Sequence, residues 1–125
     1  ANLGAYLSTF GPGIPTWFYA TLLSGMYVIP AINAKVRAVF TNTVPVDAYR
    51  GAGRPEASYV IERLMDKAAR ELGIGQDEMR NRNFIPAAEM PYKGGASLPF
   101  DSGDFTRNLT DAFKLSDVAG FEARR

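Results

Sequence analysis

The residues best placed for chemistry in this 125-residue chain lie in one loop, Arg50-Gly51-Ala52-Gly53-Arg54, followed at once by Pro55 and Glu56. Two glycines separated by one residue suit a backbone that must turn left-handed or pass close to a ligand. Pro55 suits the first turn of a helix, where its missing N–H costs nothing. The loop is therefore expected at a helix N-terminus, where unpaired amides and the helix dipole favour anions or electron-rich oxygens. Arg50 and Arg54 flank the glycines and could clamp an anion bidentately. They could equally pair with Asp47 or Glu56 as surface bridges worth little. The segment partly matches a dinucleotide-binding glycine fingerprint, but Glu56 stands where the third glycine belongs, and there is no Gly-Lys-Ser/Thr phosphate loop. As an ordinary strand-to-helix turn the segment needs no function.

Other charged groups give weaker signals. Glu62 and Asp66 share a helix face at i,i+4 and could mimic a carboxylate metal site, although solvated helix charges are far commoner. Asp101 and Asp104 read as helix caps rather than as an acid–base pair. The chain has no cysteine and no histidine. A disulfide framework, a thiolate or imidazole metal site, a Cys–His nucleophile and a Ser–His–Asp triad are thereby excluded. Metal chemistry would need carboxylates, or a metal whose ligands arrive with a cofactor. Lys+Arg 14 against Asp+Glu 13 leaves a net charge of +1, so no global field draws in nucleic acid.

These residues must be positioned by elements read from pattern. Length and a hydrophobic fraction of 46% fit one soluble globular unit with a modest core. Residues 4–9, 26–29 and 35–41 read as short strands; in the last, Val36, Ala38 and Phe40 alternate with Lys35, Arg37 and Val39. A Gly/Pro loop at 11–13 precedes a helix over 17–23, capped by Thr16 and ended by Ser24-Gly25. Residues 55–72 form the main helix, with an apolar stripe of Ala57, Val60, Ile61, Leu64, Met65, Ala68 and Leu72, and Gly73 as its left-handed terminator. A short helix over 76–82 follows, then an irregular crossing over 84–100 rich in proline and glycine. Asp101 to Asp104 precede a helix carrying Phe105, Leu109, Ala112 and Phe113, and Ser116 caps a last helix over 117–125.

The apolar stretch 14–32 is interrupted by Pro15, Ser24, Gly25 and Pro30 and lacks a basic leader, so neither a signal peptide nor a membrane anchor is expected, and a cytoplasmic location follows as the expectation. The chain starts at Ala1 without a methionine and stops at Arg124-Arg125 inside a predicted helix, so both ends read as those of a piece of a larger protein. The fold class expected is α+β, with short strands, then the glycine loop, then several helices.

Several motifs occur together in order: Gly4-Ala5-Tyr6, Thr41-Asn42-Thr43, Tyr49-Arg50-Gly51-Ala52-Gly53-Arg54-Pro55-Glu56-Ala57, Glu62-Arg63-Leu64-Met65-Asp66, Glu71-Leu72-Gly73, Arg80 with Asn83-Phe84-Ile85, and Asp101-Ser102-Gly103. This set resembles the molybdenum-binding large subunit of the xanthine oxidase/aldehyde oxidase family. The Tyr-Arg-Gly-Ala-Gly-Arg form most resembles the branch of aerobic carbon monoxide dehydrogenase large chains. The resemblance implies that residues 1–125 are a portion of a molybdopterin-binding domain of the aldehyde oxidase/xanthine dehydrogenase type.

The same resemblance implies the chemistry. In that family the metal's ligands come from a pterin dithiolene, usually molybdopterin cytosine dinucleotide in bacteria, so a site without His or Cys is no obstacle. The loop matching Arg50, Gly51, Ala52 and Gly53 runs beside the molybdenum, and the backbone at Arg50 is placed to donate toward an oxo ligand. The family reaction is oxidative hydroxylation of a small-molecule substrate with water as oxygen source, and electrons leave through an iron–sulfur small subunit and an FAD-binding medium subunit. The general-base glutamate lies far beyond residue 125, so no catalytic residue and no protein metal ligand is expected here, and the piece alone is expected to be inactive. Two departures stand out. Carbon monoxide oxidisers carry a copper-holding cysteine at the position of Gly51, so no copper is expected. Xanthine and aldehyde oxidases commonly place an aromatic wall against the substrate where Ala52 stands. The rival readings are a structural or assembly module and a stand-alone anion-binding domain.

Overall fold

The computed structural model describes residues 1–94 and 99–125. Helices carry the fold. A helical run over 11–21 begins as a 3-10 turn (Gly11–Gly13), widens into a π-type turn (Ile14–Phe18) and ends as one α-helical turn, α1 (Tyr19–Thr21). The main helix α2 is Arg54–Leu72, α3 is Gln76–Asn83, α4 is Phe105–Leu115 and α5 is Phe121–Arg124.

Helix α2 follows its sequence signals closely. It starts one residue before the expected Pro55, with Gly53 as N-cap, carries Glu56 in its first turn where the dipole favours an anion, and ends at Gly73 with φ of 67°. Its buried face is narrower than the expected stripe. Ala57, Ile61, Met65 and Ala69 are buried in one i,i+4 row, while Leu64 and Leu72 are exposed and Ala69 replaces Ala68. The row is narrow because the helix is covered on one side, by α3 and by the segments carrying Tyr27 and Phe84. The core groups Tyr27, Ile61, Met65 and Phe84, with Met26, Ile29, Met79, Phe105 and Leu109 packed around it. Tyr27 and Phe84 stack with centroids 5.5 Å apart, an arrangement worth about 0.5–1.5 kcal/mol beyond simple burial.

The strand half of the α+β expectation is reduced to single bridges among the described residues. Residues 26–29 pair only at Tyr27 with Phe84, antiparallel, through Val28 N–H to Asn83 O and Ile85 N–H to Met26 O. Residues 35–41 pair only at Val39 with Asn2, parallel. That pairing stops where Gly4 turns left-handed (φ 78°), so that Thr41 donates to Gly4 O rather than continuing the ladder. Phe40 is exposed, and the alternating face of 35–41 is not covered by a second layer. Residues 4–9 form a bend with Tyr6 and Leu7 exposed, and no strand.

Two caps also differ from expectation. Thr16 lies inside the helical run and its hydroxyl donates to Pro12 O, so it is no N-cap; the run starts earlier, with Pro12 in its first turn. Ser116 closes α4, its hydroxyl donating to Ala112 O. Asp117 takes the expected capping role by accepting from Gly120 N–H. Asp104 caps α4 as read, accepting from Arg107 N–H at 2.9 Å. Among its described residues the crossing over 84–100 is irregular as expected, with a 3-10 turn (Ala87–Glu89) and a bridge of Tyr92 to Phe100; Gly95, from its Gly94-Gly95 pair, lies outside the described residues.

Candidate functional site

The loop before α2 is built from two overlapping turns. Ala52 N–H donates to Tyr49 O at 3.0 Å and Arg54 N–H donates to Gly51 O at 3.0 Å. Three successive residues take positive φ: Gly51 at 98°, Ala52 at 35° and Gly53 at 91°. Glycine carries such angles without the steric cost an L side chain meets, which accounts for both glycines. Ala52 holds a left-handed angle with a Cβ, a backbone cost that persists only where the surroundings enforce it.

This geometry sorts the amides. Those of Ala52 and Arg54 are consumed inside the turns, whereas those of Arg50, Gly51 and Gly53 have no acceptor among the described residues. Gly53 is buried, while Arg50 is exposed and Gly51 is half-buried. The amides free to donate toward a ligand are therefore those of Arg50 and Gly51, whereas that of Ala52 is already bound to Tyr49 O.

The guanidinium groups of Arg50 and Arg54 make no ion pair with Asp47 or Glu56; Asp47 instead accepts from Ala48 N–H at 2.7 Å. The loop thus presents donors and positive charge with no carboxylate among them. An apolar cavity of about 360 Å³ begins beside it, at Arg54, Ala57 and Ser58, and runs to Met26, Phe100 and Phe105.

Glu62 and Asp66 form no metal site, and among the described residues no three acidic groups converge. Arg80 of α3 bridges them instead, donating through Nε to Glu62 at 2.9 Å and through Nη2 to Asp66 at 2.8 Å, while Tyr27 donates its hydroxyl to the other oxygen of Glu62 at 2.7 Å. The Arg80 hydrogen bond holds the Asp66 carboxyl below its usual range. Burial, followed by the Glu62 hydrogen bond, pushes the Tyr27 phenol well above its ordinary 10.0. The sign follows: a group raised in the fold stabilises fully below its unfolded value and loses that contribution as pH rises toward the folded one. In an alkaline titration of the folded protein, Tyr27→Phe should remove nothing from the phenolate absorbance developing near pH 10. A loss of one tyrosine's worth would contradict this environment.

The arrangement is a loop with free amides at a helix start, together with an acidic pair held by Arg80 and Tyr27. Residues 1–84 match the molybdopterin cofactor-binding domain family, and the chain belongs to that family, as the resemblance to molybdenum-binding large subunits of the xanthine oxidase/aldehyde oxidase group implied. The chain is similar to the gamma subunit of the 6-hydroxypseudooxynicotine dehydrogenase complex of Paenarthrobacter nicotinovorans, 36% identical over 94% of this chain and 15% of that protein. It is also similar to the carbon monoxide dehydrogenase large chain of Hydrogenophaga pseudoflava, 36% identical over 89% of this chain and 14% of that one. The crystal structure of quinoline 2-oxidoreductase from Pseudomonas putida 86 superposes over 99% of this chain and 16% of its own, with a TM-score of 0.87 at 26% identity. The chain therefore spans about 15% of the length of the curated relatives it matches. No helix among the described residues is long and apolar enough to cross a membrane.

Proposed function

We propose that this chain forms one edge of the cofactor site in the catalytic subunit of a molybdenum hydroxylase. That subunit would oxidise a small carbon substrate with water as oxygen source and pass electrons to iron–sulfur and FAD partners. The observation that carries this reading is the loop over Arg50 to Gly53, with the Arg50 and Gly51 amides left free and no carboxylate paired to its arginines, at the start of a nineteen-residue helix inside the family-matched stretch. A molybdenum–molybdopterin group fits these residues, and the form proposed is the cytosine dinucleotide. Its oxygens need donors, which the Arg50 and Gly51 amides and the unpaired guanidinium groups supply, and its metal brings its own ligands to a chain without His or Cys. When bound, the group supplies the redox couple and the activation of water. This chain's residues bind and orient: Arg50 and Gly51 donate, Gly53 seats the turn, and the Ala52 methyl stands as a substrate wall. Gly51 offers no thiolate, so the site takes no copper.

Ala52 is the better position for a test, because it already carries a Cβ at φ 35°. A side chain on Gly51 would press on Pro55 Cδ at 2.9 Å and disturb the helix start as well as the site. In the full-length enzyme, Ala52→Phe should lower kcat/KM for ring-shaped substrates by about tenfold or more through lost space, with molybdenum content and melting temperature unchanged. Undiminished turnover on every substrate would leave the loop a mere turn, as in a structural or assembly module. The 125-residue chain alone should bind no molybdenum cofactor and turn nothing over, because a site edge cannot offset the entropy of capturing a free ligand. Stoichiometric molybdenum in the purified chain would refute this.

A further inference from the structure

We propose that the helical run over 11–21 is a brace that sets the shape of the loop over 46–53, with Gly11 as a positioning residue acting through the main chain of Val46. The proposal rests on the reading of Arg50 to Gly53 as a cofactor edge, and its test separates the two. The run meets the loop at both ends. At the entrance, a Cβ on Gly11 would lie 2.1 Å from the carbonyl oxygen of Val46 and 2.5 Å from Ser8 Oγ, the hydroxyl that accepts from Gly11 N–H at 2.8 Å. At the exit, a Cβ on Gly53 would lie 2.9 Å from Tyr19 N and 3.0 Å from Ile14 O. Those two atoms are joined by the hydrogen bond of the π-type turn.

The brace is specific in its construction. A π-type turn is a local widening of a helix, uncommon and frequently placed where function needs it, and here it faces the last residue of the loop. Thr16 Oγ1, inside the wide turn, donates to Pro12 O at 2.5 Å and so ties the 3-10 start to the part that meets Gly53. Upstream, a Cβ on Gly4 would lie 2.4 Å from Pro45 Cα, a further main-chain approach onto the same strand of chain. Entrance and exit of the loop are thus held by one hydrogen-bonded segment, and shifting that segment shifts the amides of Arg50 and Gly51. Gly13 belongs to the same run but lacks such an approach: a Cβ there meets only the Phe18 ring at 3.5 Å, an ordinary contact.

The test compares Gly11→Ala with Gly13→Ala in the full-length protein purified with its native cofactor, by hydrogen exchange, steady-state kinetics and molybdenum(V) electron paramagnetic resonance. Gly11→Ala is expected to speed exchange in peptides covering 44–53 by roughly tenfold. It is expected to lower kcat by about tenfold to a hundredfold with KM little changed, and to shift the molybdenum(V) g-values. Gly13→Ala is expected to match the parent throughout. Unchanged exchange over 44–53 in Gly11→Ala, or an equal rise in Gly13→Ala, overturns the brace. Faster exchange with unaltered spectrum and turnover supports the brace and overturns the cofactor role of the loop. If Gly11→Ala does not accumulate as folded protein, Thr16→Val decides by the same exchange readout, since it removes the internal tie without adding bulk against Val46; faster exchange over 44–53 supports the brace and unchanged exchange overturns it.

Discussion

Replacing Gly53 with valine is expected to destabilise the protein by about 3–5 kcal/mol, more than any other single substitution in the loop. Three costs coincide at this position. The φ of 91° lies where a β-branched residue is strongly disfavoured. The new Cβ would sit 2.9 Å from Tyr19 N and 3.0 Å from Phe18 Cβ, so the helical run must move away. That movement disturbs the start of α2, the element on which the core is assembled. Urea unfolding followed by far-ultraviolet circular dichroism measures the loss, and Gly53→Ala should fall between valine and the parent. A valine variant within about 1 kcal/mol of the parent would show that the contact with the helical run is loose.

Arg80→Met is expected to cost about 2–3 kcal/mol at neutral pH. This is less than the 3–5 kcal/mol typical of a fully buried broken pair, because Glu62 and Asp66 keep part of their hydration. Without the guanidinium, two carboxylates one helical turn apart repel each other, and Tyr27 still holds one of them in place. The effect depends on pH with a defined sign. In the parent the Asp66 carboxyl is held below its ordinary value of 3.8, first by the Arg80 hydrogen bond. Its stabilisation is therefore complete above the unfolded value and disappears as pH falls through the folded one. In the variant the repulsion is relieved by protonation at higher pH than in the parent, because a neighbouring like charge raises a carboxyl's pKa. The gap between parent and variant should be widest near neutrality and close below about pH 4. Parallel stability–pH curves would indicate that Arg80 acts through packing alone. Arg80→Lys should recover only part of the loss, since one ammonium cannot reproduce the forked contact to two carboxylates.

The reading from sequence succeeded where local pattern and final environment coincide. Helix α2 carries its own boundaries in Gly53, Pro55 and Gly73, and Asp104 announces α4 by the same capping chemistry. The glycine loop was legible because its residue types matter through the backbone, which is where its geometry lies. The strands were not legible as errors: the alternation of 35–41 is genuine, but a strand is completed by a neighbour, and Gly4 ends the pairing after one bridge. The Arg80 clamp was hidden because Arg80 lies fourteen residues beyond Asp66. Periodicity within α2 shows only that Glu62 and Asp66 are an unfavourable pair, and that unfavourable spacing was the one available hint that a cation elsewhere resolves it. The consumption of the Ala52 amide by Tyr49 O is likewise a property of the folded turn, and residue types do not encode it.

At the points of closest approach the hold on the loop is made mainly of carbonyl oxygens, amide nitrogens and absent β-carbons, with the hydroxyls of Ser8 and Thr16 tying the segment together. Val46, Ile14 and Tyr19 take part through atoms every residue possesses. Side chains at those positions can change without altering these main-chain approaches, whereas a Cβ cannot be added at Gly11 or Gly53 without displacing them. On the proposed reading of Ala52 as a substrate wall, a substitution there would change the wall without moving the frame that carries it.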